Sequence, residues 1–237
     1  MTYRYETHCH TNECSACSAI SPAELVRFYS DYGYAGICVT DHFTGNSALP
    51  ERTPWKKRVD YFRAVYEETR AIGQKHGLSV FFGIEYGITP DIERPASSTG
   101  NHFLIINPDA GWLRENKDVF TMRTPEIFKR VRAAGGFIIH AHPFNEKPSV
   151  ECIRLLPYSV DAVEVMNGTH PDFVNDNAKR YAEAYGLLQT AGSDCHSENI
   201  KVFGGVETDF KCETVEDLVA AIREKKARPF KIVRGAR

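Results

Sequence analysis

Short apolar runs in this chain end, again and again, in histidines or carboxylates. His8 and His10 follow Tyr3-Arg4-Tyr5, Asp41-His42 follows Ile37-Cys38-Val39-Thr40, and Glu85 closes Val80-Phe81-Phe82-Gly83-Ile84. His140-Ala141-His142 follows Phe137-Ile138-Ile139, and Asp194-Cys195-His196 follows Leu187-Leu188-Gln189-Thr190. Each run is short, apolar and bounded by turn residues, as expected of parallel strands covered by helices. An open α/β sheet gathers its site at one switch point, whereas a barrel builds it from the C-terminal ends of many strands. Polar residues at almost every strand end therefore select a closed α/β barrel.

Helix signals alternate with these strands. Ser21-Pro22-Ala23-Glu24 carries a Ser N-cap, Pro at N1 and Glu at N3, with Gly33 as the stop. A long helix opens at Thr53-Pro54 and runs to about His76-Gly77. Others follow Thr124-Pro125-Glu126, span 171–185 before Gly186, and span 215–225. A short helix is expected near 149–156, and strands are expected at 102–106, 162–166 and 230–233. Residues 86–100, with two prolines and two glycines, read as an excursion. His102 begins its strand instead of ending it. It reaches the same end of the barrel if 102–106 runs antiparallel to the strand ending at Glu85. The expectation is a distorted α/β barrel of seven strand–helix units, one domain over 1–237.

The expected cluster is His8, His10, His42, Glu85, His102, His140, His142, Asp194 and His196. Imidazole mixed with carboxylate suits zinc, manganese or iron, whereas calcium and magnesium prefer all-oxygen sites. Nine candidates exceed the needs of one ion, and a carboxylate such as Glu85 can bridge two. Paired cations can clamp a phosphate and lower the pKa of a bound water.

These motifs, in this order across residues 8 to 196, resemble those of the PHP (polymerase and histidinol phosphatase) family of metal-dependent phosphoesterases. The pieces are His8-Cys9-His10, Thr40-Asp41-His42, Gly83-Ile84-Glu85, His102-Phe103-Leu104, Ala141-His142-Pro143 and Gly192-Ser193-Asp194-Cys195-His196. The resemblance implies a distorted seven-unit barrel. It implies a first metal on His8, His10, Glu85 and Asp194, a second on Glu85, His102 and His142, and a third involving His42 and His196. Members often carry His or Asp five or six residues after the second histidine of the first motif. Ser15-Ala16-Cys17 offers neither, so Glu13, the nearest carboxylate, is the expected third-site ligand, with Cys17 next. His140 is either a ligand or a group that orients one.

The functional expectation is a histidinol-phosphatase-like hydrolase holding two to three divalent zinc, manganese or iron ions. A metal-bridging hydroxide would attack the phosphorus of a small phosphorylated metabolite, a phosphomonoester. Glu85 and Asp194 are the expected catalytic carboxylates, and Asp41 would transfer protons or orient His42. Arg52 and Asn167 are candidates to bind substrate phosphate. The alternatives are an amidohydrolase-type reaction at carbon, a nuclease or phosphodiesterase, and a non-catalytic metal-binding module. Lys plus Arg numbers 29 against 31 Asp plus Glu, so no basic excess points to nucleic acid. No apolar run reaches the ~18 residues of a membrane span. Seven cysteines, an odd number in a chain of this size, argue against a disulfide framework and for a reduced, cytoplasmic protein.

Overall fold

The computed structural model describes residues 1–87, 101–147, 150 and 152–235. Nine strands form one sheet: β1 (Tyr3–Cys9), β2 (Gly36–Val39), β3 (Ser79–Gly87), β4 (His102–Ile106), β5 (Phe137–Ala141), β6 (Ala162–Asn167), β7 (Leu188–Gly192), β8 (Val202–Thr208) and β9 (Arg228–Val233). Their order is β7-β6-β5-β4-β3-β2-β1-β8-β9. Pairs β1–β2, β2–β3, β5–β6 and β6–β7 are parallel. β4 runs against both β3 and β5. The reversed strand expected at 102–106 is thus present, and it delivers His102 to the end where its parallel neighbours terminate.

The first seven strands curl until β7 meets β1. His10 N–H donates to Cys195 O at 3.0 Å, Cys195 N–H to His8 O at 3.3 Å, and Thr7 Oγ1 to Ala191 O at 2.9 Å. β8 pairs antiparallel with β1 over Tyr3 to Tyr5 only, and β9 pairs with β8. The seam is therefore closed directly where the histidines lie and filled by β8 lower down.

Helices α1 (Pro22–Asp31), α2 (Trp55–Lys75), α3 (Ala110–Glu115), α4 (Thr124–Ala133), α5 (Asp172–Tyr185) and α6 (Val215–Arg223) complete the fold. The Ser21/Glu24 capping box forms as expected, and Gly186 ends α5 with φ 66°. Alternation sorts the strands' side chains. Leu104, Ile106, Phe137 and Ile139 join Tyr5 and Phe81 in one cluster, while Phe103, Ile105 and Ile138 pack with Phe62 of α2, Leu113 of α3 and Phe128 of α4. Each fully buried Phe, Leu or Ile here contributes ~1.5–3 kcal/mol.

Three sequence expectations change. Residues 152–156 are not helical. α3, followed by a 3-10 turn at Lys117–Thr121, was not expected. Nor was β8, because Gly204-Gly205 weakens its strand signal. Those glycines are needed: a Cβ on Gly205 would lie 2.1 Å from Tyr5 O, and one on Gly204 would lie 2.3 Å from Phe230 O. Of the expected excursion, 86 and 87 end β3 and 88–100 lie outside the described residues.

Candidate metal centre

The site begins with a fault in a strand. Between Glu6 and Cys9, β1 uses three steps where β2 uses two, a β-bulge. Tyr5 faces the barrel interior with Phe81, and the extra residue lets His8 face it too. The backbone N–H of His8 is taken by Glu6 Oε1 at 2.7 Å. Glu6 itself is buried and also accepts from Ser193 N (2.9 Å), Ser193 Oγ and Tyr29 Oη (2.8 Å). Burial pushes the Glu6 carboxyl up to about 7, while these donors pull the other way.

Hydrogen bonding fixes the free nitrogen of both histidines. His8 Nδ1 lies 2.9 Å from Glu164 Oε1, a carboxylate that can only accept. His10 Nδ1 lies 3.1 Å from Ser15 Oγ, whose single proton goes to Asp41 Oδ1 at 2.8 Å. Both rings therefore donate through Nδ1 and turn Nε2 toward the barrel mouth, the arrangement by which metal-ligating histidines are oriented. His8 Nε2 and His10 Nε2 are buried without a hydrogen-bond partner among the described residues.

Glu85, at the end of β3, receives five imidazoles. Its Oε1 lies 2.7 Å from His102 Nδ1, 3.5 Å from His142 Nε2 and 3.6 Å from His8 Nε2. Its Oε2 lies 2.6 Å from His42 Nδ1 and 3.5 Å from His10 Nε2. Among the described residues, neither oxygen makes an aligned hydrogen bond. Asp194 Oδ1 lies 3.4 Å from His8 Nε2, 3.3 Å from His10 Nε2 and 3.4 Å from His196 Nδ1. Donor atoms that converge without hydrogen-bonding one another are what a cation between them would leave. Four overlapping sets can each hold one: His8/His10/Glu85, His8/His142/Asp194, His42/Glu85/His102 and His10/His42/His196, with donor atoms within 4.8 Å in every set. The residues present therefore fit a cluster of divalent ions.

Electrostatics agree. Burial works against charge on His8, yet Asp194, Glu164 and Glu85 hold its imidazole well above the ordinary range. Burial likewise opposes charge on His42, but Glu85 brings it up to about 10. His10 is pushed well below by burial and by its neighbours His42 and His196. Burial would raise Glu85, but His102, His42 and His8 hold it well below the usual carboxylate range. The same opposition, with His8 foremost, keeps Asp194 low.

Two candidate ligands sit on strained backbone. His142 has φ 28° and Asp194 φ 52°, left-handed values that non-glycine residues rarely adopt. The turn at His142 breaks the period-two rule after β5. His142 enters the cluster, and His140 does not. His140 lies instead between Phe103 (4.5 Å, stacked) and Tyr181 of α5 (6.1 Å) in the helix layer. Burial lowers its pKa to about 3.

Other expected residues also land elsewhere. Asp41 is buried and spent on the loop after β1, accepting from Thr11 N (2.6 Å), Thr11 Oγ1 (2.8 Å) and Ser15 Oγ. It orients His10 and His42 through Ser15, which also accepts from His42 N at 3.0 Å. Glu13 belongs to none of the four sets, and the charges it feels are Glu68 of α2 and Glu24 of α1. Arg52 is exposed in its loop. Asn167 is fully buried, and its amide donates to Glu164 Oε2 (2.9 Å) and Asp194 Oδ2 (3.4 Å), leaving no N–H for a phosphate. Cys14 packs in the helix layer, whereas Cys17 is exposed beside His42 and His196. Burial opposes it, but those two contacts bring the Cys17 thiol down to about 6.

Sequence reasoning missed Glu164. It sits in β6, which carries a second bulge between Glu164 and Met166. Besides His8 it accepts from His142 N at 2.9 Å, so one buried carboxylate holds two candidate ligands in place. A charged residue inside Ala162-Val163-Glu164-Val165-Met166 was the available signal. Gly192 on β7 gives this carboxylate room: a Cβ there would meet Glu164 Oε1 and His8 Cβ at 2.5 Å. Arg58 of α2 is buried and donates to Phe43 O (3.2 Å), Ser47 Oγ (2.8 Å) and Pro50 O (2.8 Å), shaping the loop after His42.

A family described as PHP-associated matches residues 173–227, the segment that carries Asp194 and His196. No curated protein sequence matches the chain. Among solved structures, a two-domain protein from Bacteroides vulgatus containing a predicted PHP-like metal-dependent phosphoesterase aligns with TM-score 0.68 at 15% identity, over 97% of this chain and 65% of that one. The chain thus spans about two thirds of that relative's length. PsfC from Pseudomonas syringae aligns with TM-score 0.67 at 17% identity, over 99% and 92% of the two chains. An amidohydrolase from Chromobacterium violaceum, solved with bound sulfate and no metal, aligns with TM-score 0.57 at 14% identity, over 95% and 98%. At these identities the structural matches establish a shared fold. Beside that shared fold, the PHP-associated match covers the segment that carries Asp194 and His196, two of the residues that meet at one barrel end.

Proposed function

We propose that the chain is a metal-dependent phosphoesterase acting on a small phosphomonoester, histidinol-phosphatase-like in its reaction, and that it holds two to three zinc, manganese or iron ions. The observation that carries this reading is Glu85 with five imidazoles around it and no aligned hydrogen bond of its own. One carboxylate shared among overlapping ligand sets calls for adjacent ions, and adjacent ions are the arrangement that suits phosphoryl transfer. His8, His10, Glu85 and Asp194 would hold the first, and Glu85, His102 and His142 the second. Bound there, divalent ions supply an activated water and neutralise charge on the phosphoryl oxygens.

The chain's own residues do the rest. Glu164 and Ser15 keep Nδ1 of His8 and His10 protonated, so Nε2 faces the centre. Thr169 Oγ1 and the Asn167 amide steady Asp194 Oδ2, at 3.2 and 3.4 Å. His170 stands over His142, ring centres 5.0 Å apart, and burial lowers its pKa to about 4. At neutral pH it is an uncharged imidazole beside the centre, able to accept a proton or a hydrogen bond there. No helix among the described residues is long and apolar enough to cross a membrane.

Hydrolysis at a carbonyl carbon is the second reading, favoured by the likeness to the Chromobacterium violaceum amidohydrolase. Protein purified without chelators is expected to contain at least two transition-metal ions per chain. It should release inorganic phosphate from members of a phosphomonoester panel when manganese is added. Release of amine from an amide panel with no phosphate release would favour the second reading. Metal content reproducibly below one per chain would sink both.

A further inference from the structure

His170 has a backbone that is fully employed and a ring that is not. The turn after β6 is fixed on several sides. Gly168 N–H donates to Gly192 O (3.0 Å), and a Cβ on Gly168 would collide with Val202 O. Thr169 Oγ1 lies 3.2 Å from Asp194 Oδ2. His170 N–H donates to Asn167 O (3.3 Å), and His170 O accepts from Asn175 Nδ2 of α5 (3.4 Å). The imidazole is thereby set over His142, ring centres 5.0 Å apart. It belongs to none of the four ligand sets, and among the described residues its ring nitrogens make no hydrogen bond. It is half-buried, so it also meets solvent. Below the centre, Tyr5, Phe81, Leu104 and Ile139 fill the barrel interior. A ligand therefore reaches Glu85 and Asp194 from the mouth, where His170 stands.

We propose that His170 binds substrate: its ring N–H donates a hydrogen bond to a phosphoryl oxygen of the ester held at the centre. This rests on the phosphoesterase reading given above. An imidazole carries at least one N–H in either charge state, so the contact needs no change of protonation. Hydrogen bonds to charged acceptors are the stronger kind, and a donor carried on a fixed turn also sets the angle at which the ester lies. His170 thus takes the part expected of Arg52 and Asn167. Arg52 is exposed in its loop, and Asn167 spends its amide on Glu164 and Asp194.

Inorganic phosphate is the probe, because it carries the phosphoryl oxygens without a leaving group. Its dissociation constant is measured by calorimetry on manganese-loaded wild type, His170→Phe and His170→Asn, with bound manganese counted in each by elemental analysis. His170→Phe keeps a ring and removes the donor. It should bind phosphate roughly 10- to 100-fold more weakly, as loss of a hydrogen bond to a charged acceptor predicts, while holding as much manganese as wild type. His170→Asn keeps an N–H and should fall between the two. KM for a phosphomonoester should rise in step with the phosphate constant. If the phenyl ring disturbs melting, His170→Ala is read in the same way. Phosphate binding within about threefold of wild type in the variant lacking the donor, or manganese lost from it, overturns the assignment and leaves the phosphoesterase reading intact. Metal-loaded wild type that neither binds phosphate nor releases it from any ester overturns that reading and this role with it.

Discussion

Replacing Glu164 by Gln tests how the centre orients its ligands. The change keeps shape and removes one charge at a fully buried position. Glu164 Oε1 accepts from His8 Nδ1, while Oε2 accepts from His142 N and from Asn167 Nδ2, all at 2.9 Å. A carboxamide has one accepting end. Turned toward His142 and Asn167, it presents N–H to His8 and forces that ring to accept through Nδ1. The ring proton then moves to Nε2, the atom that should face a metal. Turned the other way, the amide N–H groups oppose two donors. Either outcome forfeits a hydrogen bond to a charged acceptor, worth ~1.5–3 kcal/mol. At 1.4 kcal/mol per tenfold, that weakens metal binding by roughly 10- to 100-fold, the range found when groups supporting metal-bound histidines are removed. Chelator competition on stripped protein measures the affinity, and melting of the metal-free forms checks that the fold survives. Binding within about threefold of wild type, with the fold intact, would refute the tautomer argument.

Metal loading should expel protons, because His8 and His42 are both held charged by carboxylates when no ion is bound. Calorimetry in buffers of different ionisation enthalpy should show net proton release, and affinity should fall on the order of tenfold per pH unit for each proton expelled as the solution is acidified. His140 has a folded pKa depressed to about 3, so the unfolded chain binds its proton more readily between pH 6.5 and 3. Its stability contribution is intact above pH 6.5 and is lost as pH falls, by ~1.4 kcal/mol per unit. His140→Phe should therefore gain about 2 kcal/mol relative to wild type at pH 5 compared with pH 7. Equal acid-unfolding midpoints for the two metal-free proteins would contradict this. Gly192→Ala drives a methyl into Glu164 and His8 and should cost ~1–3 kcal/mol of stability. It should also lose metal, read by melting and elemental analysis.

The barrel was legible because its apolar runs are short and end in histidines and carboxylates, and the reversal of β4 followed from His102 standing at the wrong end of its run. What escaped the sequence has physical causes. Alternation assumes an unbroken strand, yet bulges in β1 and β6 and a left-handed His142 decide which side chains face the centre. His140 therefore points into the helix layer although it is two residues from His142. Asp41 and Asn167 were expected at the chemistry, but both spend their polar atoms holding neighbours in place. Such roles depend on contacts between residues far apart in the chain, which periodicity does not encode. Glu164 was readable as a charge in an apolar strand, though nothing in its spacing tied it to His8, 156 positions away.

The closed seam has a consequence for how the molecule comes into being. Glu6 and Ser193, which meet across it, are separated by 187 positions. Bringing such distant segments together costs, in its length-dependent part, roughly 4–5 kcal/mol of chain entropy. Contacts of this kind form late and slow a fold down. His8 and His10 are made well before Asp194 and His196, and meet them only once the intervening chain exists. Ions held between these pairs would act as rivets across the last join of the barrel. Removing them should then speed opening at that join before it loosens the helices outside.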